Sequence, residues 1–136
     1  MGKKAAGLVC IFLLMVILTG CQLIRIEEGE RTPLKYTIVK QEEIPVEAVE
    51  LMEQKKEKTF QMTYQVGDVR YLMKGYGEQL TGGYSIQVEE VSESENAVFC
   101  KTRLIGPTEK KAGSGPSYPC IVLKIAETKK PVEFSG

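Results

Sequence analysis

A two-residue alternation of apolar and polar side chains is the feature that most constrains the fold of this chain. In residues 60–66 every second side chain is apolar, and the same alternation returns in residues 84–89. Such a period places the apolar side chains on one face of a β-strand, so that this face is buried. Gly67 and Asp68 separate the first strand from residues 69–74, and a two-residue Gly-Asp loop is typical of a β-hairpin.

One helix is predicted at residues 45–58. Pro45 suits the first helical position because it has no N–H group to leave unsatisfied. The charges then run from acidic to basic along the segment, which is the direction that the helix dipole favours. The apolar residues recur at helical spacing and predict one buried stripe. This stripe consists of Val46, Val49, Leu51 and Met52.

Further strands complete the predicted domain. They are predicted at residues 36–40, 97–105, 118–126 and 132–134. In the third of these, Ile121, Leu123 and Ile125 share one face. Together the elements predict an α+β domain, in which one α-helix packs on a mainly antiparallel β-sheet of five to seven strands.

The N-terminal segment predicts the compartment. Two lysines precede an unbroken apolar run at residues 8–18, and this run is too short for a stable transmembrane helix, which needs about 20 apolar residues. The Leu-Thr-Gly-Cys segment that ends at Cys21 resembles the bacterial lipobox, whose cysteine receives a diacylglycerol before cleavage on its N-terminal side. An ordinary signal peptide or a signal anchor is the alternative. We predict a lipoprotein signal peptide at 1–20, a lipid anchor and tether at 21–35, and one domain at 36–136.

Composition argues against several functional classes. Removal of residues 1–20 leaves 18 − 2 = 16 basic and 18 acidic residues, a net charge of −2, whereas nucleic-acid binding needs a basic surface. The chain has no histidine, which is the commonest general base and metal ligand. Only three cysteines follow residue 20, too few for a zinc site made of thiolates alone. We therefore expect no nucleic acid, no metal and no cofactor.

A glycine-rich stretch at residues 75–83 is the most unusual local feature. It lacks the Gly-Lys-Ser/Thr of a phosphate-binding loop, leads into a strand, and carries Glu78, which would repel phosphate. Two interpretations stay open. The stretch is either an ordered connection whose glycines allow positive φ or close packing, or a partner-contact loop that displays tyrosines, which are favoured at interfaces. The candidate contact residues are Gly75, Tyr76, Gly77, Gly82, Gly83 and Tyr84.

Several segments resemble a known family. Residues 81–88 read Thr-Gly-Gly-Tyr-Ser-Ile-Gln-Val, residues 104–107 read Leu-Ile-Gly-Pro, and residues 116–124 and 132–134 follow as a proline-preceded strand and a terminal Val-Glu-Phe. Over residues 66–134 the sequence resembles the PrcB C-terminal-domain family of secreted or lipid-anchored bacterial proteins. That family is named for a subunit that stabilises an extracellular protease complex. The resemblance implies a non-catalytic accessory role.

Two cysteines of the predicted domain leave two alternatives. Cys100 and Cys120 lie on neighbouring predicted strands, joined by the loop 106–117. If these strands form a hairpin centred near residue 110, the cysteines face each other, and a disulfide would stabilise the fold by roughly 3 kcal/mol. The other alternative is two buried free thiols that act as small apolar residues.

An enzymatic function is not expected. No nucleophile, base and orienting group are visible together, and the weakest hypothesis pairs Ser114 or Ser117 with Lys110 and Lys111. We predict an extracytoplasmic lipoprotein, anchored to the bacterial cell membrane, that binds and stabilises a secreted protein such as a protease. The alternative is a lipoprotein that binds a small ligand or a cell-wall fragment in a groove lined by Tyr76 and Tyr84.

Overall fold

The structure is a computed structural model that describes residues 30–109 and 112–136. Within these ranges the chain forms eight strands, one α-helix and one short 3₁₀ helix. The strands are β1 (Thr32–Pro33), β2 (Thr37–Ile38), β3 (Thr59–Val66), β4 (Val69–Tyr76), β5 (Ser85–Glu93), β6 (Val98–Ile105), β7 (Cys120–Ala126) and β8 (Val132–Ser135). The 3₁₀ helix spans Gln41–Glu43 and the α-helix, α1, spans Val46–Lys55. Neither helix has the length and apolarity that crossing a membrane requires.

The strands form two sheets, which corrects the predicted fold class. Sheet A has the order β1-β5-β6-β8 and sheet B the order β2-β7-β4-β3. All pairs are antiparallel except β6 and β8, which run parallel. The predicted helix on a single sheet of five to seven strands is therefore wrong. Alternation along a strand shows that one face is buried, but it does not show whether a helix or a second sheet covers that face.

The two sheets pack face to face and enclose the larger core. Its buried members come from strands of both sheets and are Leu72, Val91, Val98, Cys100, Leu123 and Ile125. Ile121 packs against this cluster, so the predicted shared face of β7 is confirmed. The β3–β4 hairpin is confirmed too, because its register runs without interruption from the Val66–Val69 pair to the Thr59–Tyr76 pair.

The helix forms a third layer on the other face of sheet B. Ala48 and Met52 are buried against Met73 of β4 and Val122 of β7. The predicted stripe is wrong in part, because Val46 is 70% exposed while Ala48, which was not assigned to the stripe, is fully buried. A small side chain at this position lets the helix backbone approach the sheet closely.

The N-terminal end of the described chain is part of sheet A. β1 pairs with β5, and the Leu34 N–H donates to the Val91 carbonyl at 3.0 Å. The Arg31 guanidinium lies 3.6 Å from the centre of the Phe99 ring. These contacts include the last residues of the segment predicted as a tether. The predicted signal peptide and the lipid-attachment residue Cys21 lie outside the described residues.

Candidate partner-binding groove

An open groove of about 540 Å³ lies between α1 and the β2–β7 side of sheet B. Its apolar lining comes from both sides and includes Val39, Ile44, Val49, Met52, Phe60 and Val122. Its polar lining includes Gln41, Glu53 and Lys56. The concavity thus combines an apolar surface with a few polar groups, the composition that ligand and peptide sites share.

The groove exists because β2 is much shorter than β7. The β2–β7 ladder closes with the Val39 N–H, which donates to the Val122 carbonyl at 2.9 Å. The chain then turns into the 3₁₀ helix that starts at Gln41, the residue that would otherwise lie opposite Cys120. The end of β7 therefore continues beyond its neighbour, and α1 covers only one side of the space that is left.

Backbone groups of β7 face this space. Alternate residues of a strand direct their N–H and C=O groups to the same side. Because Val122 directs its carbonyl toward β2, the N–H and C=O of Cys120 point in the same direction, into the groove. Among the described residues no strand pairs with Cys120 on that side.

A charge pair and an aromatic ring stand at the rim. Lys56 Nζ lies 2.9 Å from the Glu53 carboxylate and 4.7 Å from the centre of the Tyr118 ring. The hydrogen bond to Glu53, followed by its negative charge, raises the pKa of Lys56 above the ordinary value. Lys56 is therefore a cation at neutral pH, placed to attract an aromatic or acidic group of a ligand.

The two cysteines lie in different layers, which corrects the hairpin on which the possible disulfide between them depended. Cys100 is paired with Val91 and Phe134 in sheet A, whereas Cys120 is paired with Gly75 in sheet B. β6 and β7 do not pair, and both cysteines are free thiols. The loop between them carries the chain from one sheet to the other, and a pattern of alternation cannot distinguish such a crossing from a hairpin.

Neither thiol has the character of an activated nucleophile. Burial raises the pKa of the Cys100 thiol to about 11. Cys120 is exposed as a residue, but partial desolvation of its sulfur, followed by the charge of Glu53, also raises the pKa of its thiol. A reactive cysteine needs the opposite shift, toward the thiolate at neutral pH.

The glycine-rich stretch has clear structural roles. A Cβ atom at Gly75 would lie 2.1 Å from the Phe60 ring, so this ring packs where only glycine leaves space. Gly77 and Gly83 have φ values of 77° and 87°, which side chains rarely adopt. The Tyr76 hydroxyl is hydrogen-bonded to the Thr102 hydroxyl of sheet A at 2.5 Å, between the two sheets.

The rest of this loop lies against the loop that leads into β7. Gln79 forms a two-way backbone bridge with Ser117, whose hydroxyl donates to the Thr81 carbonyl at 2.6 Å. Leu80 is left 89% exposed. The Ser117 hydroxyl therefore forms a hydrogen bond that joins the two loops. Lys110 and Lys111, the bases of the hypothetical Ser-Lys pair, lie outside the described residues.

The remaining predicted contact residues are placed by the same two loops. Gly82 lies beside Gly113, and the half-buried Tyr84 ring lies beside Gly106. Tyr76 and Tyr84 do not line the groove, contrary to the small-ligand hypothesis. However, the loop starts next to the helix end, where the Glu78 N–H donates to the Glu57 carbonyl at 3.1 Å. It therefore neighbours the groove rim at Lys56.

Sequence reasoning did not find the groove. Its lining comes from segments that are far apart in the chain, and its shape depends on where β2 stops. The only local signal is the run of polar residues and Pro45 directly after the short strand, which indicates an early end to that strand.

Comparison with known proteins gives one match. Residues 70–126 match the family model described as PrcB C-terminal, which confirms the resemblance found in the sequence. The match spans β4 to β7, and so includes one wall of the groove, whereas α1, β2 and β3 lie outside it. No curated protein and no solved structure matches the chain.

Proposed function

We propose, on the premise that residues 70–126 belong to the PrcB C-terminal family, that this chain is a membrane-anchored lipoprotein that binds a secreted protein. Its role is that of a non-catalytic accessory module, which holds and stabilises a partner such as a protease at the cell surface. The lipid would be attached at Cys21, and the domain would act outside the cytoplasm.

The groove between α1 and β7 is the observation that carries this proposal. It offers apolar side chains together with backbone groups of Cys120 that no described strand pairs on one side. An extended peptide segment uses both, because its side chains fill apolar space while its backbone adds to a strand edge. The neighbouring loop adds the exposed Leu80 to the same end of the molecule. A protein partner with an extended apolar segment therefore fits this surface.

Site-specific photocrosslinking tests the groove. A photoreactive residue replaces Glu53, which lines the groove, or Gln54, which is exposed on the helix but does not line it. Both variants are made in the full chain and irradiated in intact cells. We expect a defined protein adduct from position 53 and little or none from position 54, with the adduct identified by mass spectrometry.

The outcome against the proposal is equally clear. Equal adduct patterns at positions 53 and 54 would show that the groove is not the partner surface. Adducts only to membrane lipid at both positions would contradict the proposal of a protein partner.

The anchor is tested separately. Mass spectrometry of the native N-terminal peptide should find acyl chains on Cys21 and no residue that precedes it. A Cys21→Ser variant should leave the membrane fraction, because acyl chains contribute roughly 0.8 kcal/mol per buried methylene. Retention of the first twenty residues, or an unmodified Cys21 thiol, would contradict a lipid anchor.

A small ligand, such as a cell-wall fragment, is the second candidate. The groove volume of about 540 Å³ favours it, because ligand sites occupy roughly 300–1,000 Å³. A peptidoglycan fragment that raises the melting temperature of the wild-type chain, but not that of a Met52→Trp variant with a filled groove, would support this candidate over a protein partner.

A further inference from the structure

The outer edge of sheet B is formed by a strand without the usual protection. β3 is eight residues long and pairs with β4 alone among the described strands. Its sequence, Thr-Phe-Gln-Met-Thr-Tyr-Gln-Val, has no charged residue, no proline and no glycine. Its register with β4 also has no bulge. Natural proteins protect exposed edges with charges, prolines, bulges or short strands, because an open edge pairs with other chains.

The other sheet edges of the same molecule carry these protections. β1 and β2 are two residues long, and β1 contains Pro33. β8 is four residues long and carries Glu133. Among the described strands, β3 is therefore the sheet edge that lacks these protections.

The backbone of β3 is oriented to accept such a strand. The Tyr76 N–H donates to the Pro119 carbonyl at 2.9 Å, so Tyr76 faces β7 and its neighbour Gly75 faces Phe60 of β3. Alternation then turns the backbone groups of every second β3 residue outward. These residues are Thr59, Gln61, Thr63 and Gln65.

We propose that β3 of one chain pairs antiparallel with β3 of a second copy, around a two-fold axis at Met62, and joins the two B sheets into one eight-stranded sheet. In this register Met62 faces Met62 of the second copy, and Phe60 faces Tyr64 of the second copy. All of these side chains lie on the helix side, where Phe60, Met62 and Tyr64 already pack. Aromatic and apolar cross-strand pairs of this kind stabilise sheets.

The charges that flank the strand favour a second copy as the partner. On the opposite face the paired side chains are uncharged threonines and glutamines, so no like charges meet. Lys58 precedes β3 and Asp68 follows it. An antiparallel pair brings the Lys58 end of one copy to the Asp68 end of the other. The pairing uses the outward backbone groups of β3, whereas the groove opens beside β2 at the other edge of the sheet, although the Phe60 ring of β3 also lines that groove. The pairing therefore does not depend on the proposed partner.

Disulfide trapping tests the register. Met62→Cys and a control, Val66→Cys, are made in the full chain with Cys120→Ser, and membranes are mildly oxidised. Both positions lie on the same strand face, but only position 62 meets its own copy across the two-fold axis, at the Cα distance of a non-hydrogen-bonded pair. We expect roughly tenfold more cross-linked dimer from Met62→Cys than from Val66→Cys.

Strand blocking tests the dimer without a new cysteine. Thr63→Pro removes an outward N–H group that forms no hydrogen bond with β4. An edge strand tolerates a proline at such a position. Because two symmetry-related hydrogen bonds are lost, the dimer dissociation constant of the detergent-solubilised chain should rise roughly 30-fold. Gln65→Lys is the second variant. Gln65 already donates to Glu127 at 3.3 Å, so a lysine at this position has an acidic partner within its own chain. In the dimer, however, it places a cation near Lys58 of the second copy.

The results that overturn the proposal are distinct. The proposal is overturned if the wild-type chain stays monomeric at every concentration in analytical sedimentation. It is also overturned if cysteines at positions 62 and 66 form equal amounts of cross-linked dimer. Trapping of Met62→Cys to a different protein would show that a foreign strand covers the edge instead.

Discussion

The two faces of sheet B are buried to different degrees. Toward sheet A, Leu72 and Leu123 are each 1% exposed, inside a core that strands of both sheets close. Toward α1, Met73 is equally buried, yet a groove of about 540 Å³ opens beside it. A ten-residue helix is roughly 15 Å long, too short to cover a four-stranded sheet. We therefore expect the face toward sheet A to contribute more to the free energy of unfolding than the face toward α1, which leaves an open groove.

Truncation of one core side chain on each face should give the largest difference between the two faces. Leu72→Ala should lower the free energy of unfolding by about 3–4 kcal/mol, because the cavity it leaves is enclosed on all sides. Met52→Ala should cost only about 1–2 kcal/mol, because its space opens into the groove and water can enter. Urea unfolding of both variants measures the difference. Equal losses would mean that the helix face is as tightly packed as the sandwich.

Gly75→Ala should have the next largest effect, on the helix side of the sheet. The added methyl would meet the Phe60 ring at 2.1 Å, and overpacking of this kind costs about 1–3 kcal/mol. Gly82→Ala is the matched control, because its Cβ would find only ordinary contact, 3.6 Å from Gly113. A loss at position 75 no larger than at position 82 would show that the Phe60 ring moves freely into the groove.

The sequence predicts the elements of this molecule well and their arrangement poorly. The Gly67–Asp68 hairpin and the strand that ends at Ala126 follow from local alternation and turn residues, which act within a few positions. Whether β6 pairs with β7 depends on the loop between them. That loop crosses between layers, and no local residue pattern encodes the crossing.

The candidate site also depends on contacts that local sequence does not predict. Tyr76 is an aromatic residue in a glycine-rich loop, and composition alone suggested that it is displayed to a partner. Both interpretations of that loop were open from the sequence. In the structure the Tyr76 hydroxyl is hydrogen-bonded to Thr102, which is far away in the sequence and belongs to the other sheet. The groove residues Glu53, Lys56 and Tyr118 carry no motif at all, because what they share is only their position around a short strand.

The pH dependence of stability should separate the two cysteines. The thiol pKa of Cys100 is raised by burial from 9.0 to about 11. Below pH 9 both the folded and the unfolded chain hold this proton, so the contribution to stability is fully present. Between pH 9 and 11 only the unfolded chain releases it, so stability falls as the pH rises.

Replacement of each cysteine by valine isolates this effect. Cys100→Val should remove roughly 1–2 kcal/mol of the alkaline loss seen in the wild-type chain. Cys120→Val should remove less, because Cys120 is exposed at the groove. Unfolding curves at pH 8, 9, 10 and 11 give the comparison. An alkaline loss in Cys100→Val that matches the wild type would show that water reaches the sandwich core.

The smallest expected effect concerns the hydrogen bond that joins the two sheets. Tyr76→Phe removes the partner of the Thr102 hydroxyl, which is 1% exposed, and should lower the free energy of unfolding by about 1 kcal/mol. In a Tyr76→Phe/Thr102→Val double variant most of the lost stability should be recovered, because no buried polar group is then left without a partner. The same Tyr76→Phe change should leave photocrosslinking from position 53 unaltered, since Tyr76 does not line the groove. If it abolished the adduct while stability stayed constant, the tyrosine would act at the partner surface, and the separation of a structural face from a binding face would fail.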